Sequence, residues 1–397
     1  MIVEVSDILA LLPDRLLDEL AAETKVNYYS KKLQGQVMFK LLLYCILCYK
    51  DNSLRIMQSA YESIGFRLLN AHLPSGSIHY SSISERLNAL ESTYVEKLYK
   101  ACVKIYRQQL SKKETQQQPA VIRFDSTIVS LSATLLKTGY HLKGGDADHV
   151  RQLKFTIGLS DIPTAAHFFN EQVYTSENTA LKEAIFTSIQ PVDKAHHITV
   201  FDKGINSRKT YDRLTEEHVP FVSRVEVHSR YEELLTNQLE SPVETPTLTI
   251  VSDSWAYLFS SNGKSTHPFR LIRAVIKRSG EELLFISNIA DLSAEVIAAI
   301  YKRRWDIEAF FKFLKQELHF SHLVNRTENG IRVMFYATMI AAVLLLVYKT
   351  TNQLNGYKIV KHQFINELQT ALVRDFVLLC GGNPDLVDRL LNKPPPL

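Results

Sequence analysis

Residues 292–319 read LSAEVIAAIYKRRWDIEAFFKFLKQELH. This stretch holds neither Pro nor Gly, and Ser293 with Glu295 supplies an N-cap and an acid in the first turn, so one continuous helix is predicted. At roughly 100° per residue, Val296, Ile300, Ile307, Phe310, Phe311, Leu314 and Leu318 fall on one arc, the expected buried face. Tyr301, Arg304, Glu308 and Lys315 gather within roughly 60° of each other on the adjoining side, with Lys312 and Trp305 a little further round. Taken alone, that side also reads as a solvated face, in which Glu308 and Lys312 form an i,i+4 pair contributing ~0.2–0.5 kcal/mol.

The chain has 397 residues, 46% of them hydrophobic, which is enough for two or three domains and excludes a disordered chain. A net charge of +4 is only mildly basic, so any nucleic-acid site must be local. Four cysteines are too few for a disulfide framework and suit a reducing cytoplasm. Cys45 and Cys48 form a C-x-x-C inside an apolar run with no second pair, which reads as core packing before zinc or redox chemistry. The opening MIVEVSDILALLPDRLLDEL carries acids where a signal peptide needs a basic region, so a cytoplasmic location is expected. Residues 333–348 are uncharged throughout, yet shorter than the ~20 residues a span requires. They are read as a buried helix, with no membrane partner.

In chain order, residues 1–113 read as a helical domain. Helices are expected at 36–50 and 53–64, and Ser82 with Glu85 has capping-box spacing at the start of a third. Short helices around the turn-rich HLPSGSIHYS suit a DNA-binding module, in which Lys31, Lys32, Arg55, Arg67 and Arg86 meet phosphates. They suit a plain helical scaffold equally well. The polar SKKETQQQPA at 111–120 is a linker.

The texture then turns β-rich. VIRFDSTIVSL at 121–131 holds Asp125 in its middle, and a carboxylate in a strand wants a metal or a cation. Strands are expected at 152–159 and 165–174, a helix at 176–189, and an apolar strand at 197–201 that stops at Asp202-Lys203-Gly204. Open α/β sheets place ligand groups at such strand ends, although Asp before Gly also simply makes turns. Further strands are expected at 247–251, 255–259, 268–277 and 282–286. A polar loop at 323–330, an apolar helix from Ile331 and an amphipathic helical end complete the chain. Asp146, Asp148 and His149 have metal-ligand side chains but follow Gly144-Gly145 as a solvated loop would. His196 and His197 open a strand and read as structural. No P-loop and no G-x-S-x-G elbow is present.

Tyr301, Arg304, Glu308 and Lys315 have the spacing Tyr, two residues, Arg, three residues, Glu, six residues, Lys. It resembles the Y-R-E-K signature of the insertion-sequence-four family of bacterial DDE transposases. That resemblance covers about 121–318 well, the C-terminal part loosely and the N-terminal domain hardly at all; Asp202-Lys203-Gly204 has Lys where the family often has Arg. It implies an α/β fold: a ribonuclease-H-like catalytic core with a β-rich insertion, preceded by an all-helical N-terminal domain and followed by a helical C-terminal cap. The expected boundaries are 1–113, 120–226 for the first part of the core, 227–290 for the insertion, 291–322 for the signature helix and 323–397. The resemblance makes Asp125, Asp202 and Glu308 the catalytic and metal-holding acids, with strands one and four bringing the two aspartates together. It makes Tyr301, Arg304 and Lys315 DNA contacts. Two Mg²⁺ or Mn²⁺ ions, ~3.5–4 Å apart in such sites, suit carboxylate oxygens. The implied partners are double-stranded DNA, both insertion-sequence ends and target, and a second copy of the chain when assembled on DNA. The implied activity is metal-dependent phosphodiester hydrolysis and strand transfer in cut-and-paste transposition. A catalytically silent DNA-binding descendant and a stand-alone metal-dependent nuclease are the alternatives.

Overall fold

The computed structural model describes residues 4–28, 30–70, 73, 76–111, 120–132, 139–141, 150–189, 197–236, 242–260 and 263–391. The chain divides into two compact units. One comprises Met1–Thr115, Ser132–Thr138 and Lys312–Leu397, the other Gln116–Leu131 and Gly139–Phe311. Asp146, Asp148, His149 and His196 lie outside the described residues.

The second unit is built on one sheet. Its strands are β1 (Ala120–Ser132), β2 (Tyr140–His141), β3 (Val150–Leu159), β4 (Pro163–Phe169), β5 (His197–Phe201), β6 (Phe221–Val225), β7 (Tyr231–Thr236), β8 (Val243–Glu244), β9 (Leu248–Ser260), β10 (Gly263–Lys264), β11 (Phe269–Ile276) and β12 (Glu282–Ser287). Their order is β10-β9-β11-β12-β6-β5-β1-β3-β2, with β4 on β3 and β7 and β8 on β9. Strands β1, β5 and β6 run parallel, while β3 and β4 form an antiparallel hairpin. This mixed α/β arrangement is consistent with a ribonuclease-H-like core. The strands between 231 and 287 continue it, because β12 pairs antiparallel with β6.

Alternation along β1 sends Ile122 and Phe124 to one face of the sheet, and Val121, Arg123 and Asp125 to the other. The first face packs with Phe201, Phe221 and the helices Glu177–Ser188 and Arg208–Glu216. The second packs Ile198, Val200, Val222 and Phe285 against Ile297, Ala298 and Tyr301 of the helix Ala294–Lys302.

Three expectations are corrected. The stretch 292–319 is two helices, Ala294–Lys302 and Trp305–Gln316, parted by a turn in which the Arg304 N–H donates to the Tyr301 carbonyl at 2.9 Å. No Pro or Gly causes the break; the Arg304 side chain is buried there between carboxylates. The apolar arc therefore does not run through. Ala294, Ile297, Ala298 and Tyr301 face the core in the first helix, and Val296 is exposed at 43%. The second correction concerns 247–259, where one strand replaces two. The polar Ser252-Asp253-Ser254 does not turn, because Arg270 on β11 forks onto both Asp253 oxygens at 2.9 and 2.6 Å inside the sheet. The third is Ser82, which is not a cap: His79 caps the helix Tyr80–Ala89, accepting from the Ser81 N–H.

The helical unit is organised on Glu328–Thr351, capped by Thr327. This is the one helix among the described residues long and apolar enough to cross a membrane, and 94% of its apolar window is buried inside the protein. It packs on Ser92–Ser111 and Gly35–Cys48. Cys45 is buried in the latter helix, and burial pushes the Cys48 thiol up to about 12, which leaves the C-x-x-C unreactive.

Candidate active site

Asp125 and Asp202 are brought side by side by strand pairing. The parallel register of β1 and β5 ends with Phe124 opposite Phe201, so each aspartate is the next residue along the chain from that pair. The Ser126 N–H donates to Asp125 Oδ1 at 2.7 Å, which fixes that carboxylate from its own backbone. Asp202 follows the last residue of β5 and accepts the Tyr301 hydroxyl on Oδ1 at 3.0 Å. Burial first, and the Asp202 charge next, hold the Tyr301 phenol well above its ordinary value, so it remains a donor.

Glu308 lies in the first turn of the helix Trp305–Gln316, where the helix dipole favours a carboxylate. Arg304 links it to the aspartates. The guanidinium stands 2.6 Å from Glu308 Oε1 and 3.8 Å from Asp125 Oδ2, and its side chain is only 8% exposed. The Glu308 partner is thus Arg304 rather than Lys312. Among the described residues, Arg304 Nε is buried without a hydrogen-bond partner. Trp305 is 65% exposed beside the same guanidinium, 5.6 Å from ring centre to Cζ. Lys315 is exposed in the last turn of this helix.

Electrostatically the site carries an excess of negative charge in a poorly solvated place. Burial pushes the Asp125 carboxyl up to about 6, with Glu177 and Asp202 adding to the rise, against the Ser126 N–H and Arg304. Only hard carboxylate oxygens are offered, which suits Mg²⁺ or Mn²⁺. A desolvated carboxylate beside a second one is also what a divalent ion relieves. Among the described residues, no three His, Cys, Asp or Glu side chains stand close enough to enclose an ion. Glu308 is joined to Asp125 through the Arg304 guanidinium.

Two residues near the acids escaped the sequence reading. Glu177 begins the helix Glu177–Ser188, and its Oε1 lies 3.0 Å from the Nζ of Lys154, a lysine on β3 that is buried almost completely. The available signal was Lys154 itself: a lysine within the apolar run LKFTIGL needs a carboxylate partner.

Residues 116–344 match the family model described as a transposase DDE domain. The chain is 27% identical over 248 residues to a putative transposase for insertion sequence element IS4SA from Synechocystis, covering 60% of this chain and 64% of that protein. It is 29% identical over 172 residues to a probable transposase for insertion sequence element IS5377 from Geobacillus stearothermophilus, 42% of this chain and 44% of that one. A putative transposase from Sinorhizobium fredii is 29% identical over 156 residues, 39% of this chain and 43% of its own. The chain spans less than two thirds of the length of each of these relatives.

Proposed function

The chain belongs to the DDE-domain transposases of insertion sequences, and from that premise we propose that it binds the ends of its own element and carries out metal-dependent phosphodiester hydrolysis and strand transfer by cut and paste. The observation that supports this best is the pairing of β1 with β5, which sets Asp125 beside Asp202, with Glu308 tied to Asp125 through Arg304. In this reading Asp125, Asp202 and Glu308 hold two Mg²⁺ or Mn²⁺ ions. When bound, such ions supply an activated water and compensate charge on the attacking and leaving oxygens.

The chain's own residues do the rest. The Ser126 N–H and the Tyr301 hydroxyl orient the two aspartates. Arg304 serves as their counter-ion before DNA arrives and turns its planar fork to a phosphate afterwards. Lys315, exposed on the same helix, meets a flanking phosphate, and Tyr301 bonds a phosphate oxygen where one comes within reach. The exposed ring of Trp305 offers a stacking surface for a base drawn out of the duplex. Water first cuts the strand and frees a 3′-OH, which then attacks the next phosphodiester. Two copies pair the two ends.

The helical unit, comprising the N-terminal domain and the C-terminal cap, has a groove of about 770 Å³ whose lining includes Lys25, Lys31, Lys32 and His79 beside Glu85 and Glu91, and in this reading its lysines grip the element's end. Arg86, which also lines it, is committed to the Leu33 and Val26 carbonyls and braces the fold.

A joining assay on a labelled element end tests the function: recovery of strand-transfer product supports a transposase, and cutting with no joining under any metal supports the stand-alone nuclease instead. In parallel, Lys315→Ala should lower the slope of log affinity against log salt by about one. An unchanged slope removes Lys315 from the DNA contacts.

A further inference from the structure

The helix that carries Glu308 does not inherit its place from the helix before it. Ala294–Lys302 packs on the sheet, but the turn at Arg303 and Arg304 interrupts the helical path, so Trp305–Gln316 is fixed by contacts of its own. At its start two ion pairs run in opposite senses between this segment and β1. Arg304, just before the helix, reaches Asp125 on the strand at 3.8 Å, while Arg123 on the strand reaches Asp306 in the helix, Nε to Oδ2, at 3.5 Å. Each arginine stands two residues before the acid that receives the other.

The two arginines differ in what they are free to do. In the function proposed above, Arg304 leaves the carboxylates for a phosphate. Arg123 cannot follow, because its side chain is 2% exposed and its Nη1 reaches the Leu159 and Ser160 carbonyls, at the end of β3, at 3.5 and 3.4 Å. A guanidinium buried in the sheet needs a carboxylate close by, and Asp306 supplies one from the helix. Asp306 itself is half-exposed and also stands 3.4 Å from Arg303 Nε. It can therefore be exchanged without opening the core.

We propose that Arg123 and Asp306 are positioning residues for Glu308: their pair holds the first turn of the helix against β1 once Arg304 has turned to DNA. The proposal rests on the three-acid reading above. Without the pair, the carboxylate two residues after Asp306 drifts from Asp125 at the step that needs both, and a displacement of about 1 Å at a reacting centre costs up to about a hundredfold in rate.

Hydrogen exchange tests the holding and cleavage tests its use. In the full chain without metal or DNA, in an Arg304→Gln background that removes the other tie, adding Asp306→Asn should speed exchange at the amides of 307–311 by about fivefold, the equivalent of roughly 1 kcal/mol. Arg303→Gln in the same background should leave those amides as they were. Equal exchange with and without Asp306→Asn, or the same acceleration from Arg303→Gln, overturns the proposal. In the otherwise wild-type chain, Asp306→Asn should bind a labelled element end as before and cut it about tenfold to a hundredfold more slowly, and Asp306→Glu should recover part of the loss. The double variant Arg123→Met, Asp306→Asn separates positioning from charge balance. If Asp306 only neutralises a buried arginine, removing both restores cutting; if the pair positions Glu308, cutting stays slow. Restored cutting in the double variant, or wild-type cutting by Asp306→Asn, overturns the proposal. Failure of the three-acid reading looks different: Glu308→Ala would then cut as the wild type does, while exchange still reports whether the pair holds the helix.

Discussion

The Arg304 guanidinium lies 2.6 Å from Glu308 and 3.8 Å from Asp125, and so joins a helix-borne acid to a strand-borne one. Two consequences follow for a site read as metal-binding: the guanidinium holds the carboxylates in place, and it competes with any other cation for them.

Arg304→Gln should therefore raise Mn²⁺ affinity in the absence of DNA, by about tenfold if the lost competition is worth ~1.4 kcal/mol. The same variant should bind element-end DNA more weakly, because a phosphate partner has gone. Calorimetric titration and a gel-shift series measure the two effects. Unchanged Mn²⁺ affinity would mean that the guanidinium and the ion use different oxygens.

Asp125 gives the metal-free protein a pH dependence with a definite sign. Burial lifts its carboxyl from 3.8 to about 6. Between those values the unfolded chain has released a proton that the folded site still holds, so stability falls as pH rises from about 4 to 6. The difference amounts to at most roughly 3 kcal/mol. Urea unfolding in EDTA across this window should show a decline in the wild type that is flatter in Asp125→Asn. Equal slopes would place the proton elsewhere.

The buried Asp253–Arg270 pair supports the site from a distance. Arg270 also donates to the carbonyls of Ile289, Ala290 and Leu292, just before the helix that presents Tyr301. Asp253→Ala leaves this guanidinium buried without its counter-ion, a loss of about 3–5 kcal/mol, which chemical denaturation would reveal. A change under 1 kcal/mol would show that the three carbonyls alone compensate the charge.

What the sequence made legible follows from how local each signal is. An aspartate inside VIRFDSTIVSL and another closing HITVF mark themselves, because strands rarely carry unpaired acids, and both strands appear with nearly the expected ends. The break before Trp305 had no local mark. Its cause is tertiary, a buried arginine drawn to carboxylates from two elements, and helical periodicity carried across it misplaced Val296. Residues 252–254 failed for a similar reason: three polar residues look like a turn until the Arg270 partner is supplied from a strand about seventeen residues away. Glu177 was invisible because its ion-pair partner, Lys154, is remote in sequence. The family signature pointed to Tyr301, Arg304 and Glu308 as a group. The finding that Arg304 is almost fully buried came only with the fold.

In the proposed function Asp125, Asp202 and Glu308 act together in metal-dependent cutting. Its most direct test is cleavage of a labelled duplex bearing the element's own end, with Mg²⁺ or Mn²⁺, by the wild type and by Asp125→Ala, Asp202→Ala and Glu308→Ala, with DNA binding measured on the same samples. The wild type should cut, and all three variants should bind the end yet lose cleavage by at least about a hundredfold, a barrier change of roughly 2.7 kcal/mol. A wild type that binds without cutting under either metal, or any one variant that cuts at the wild-type rate, would contradict it.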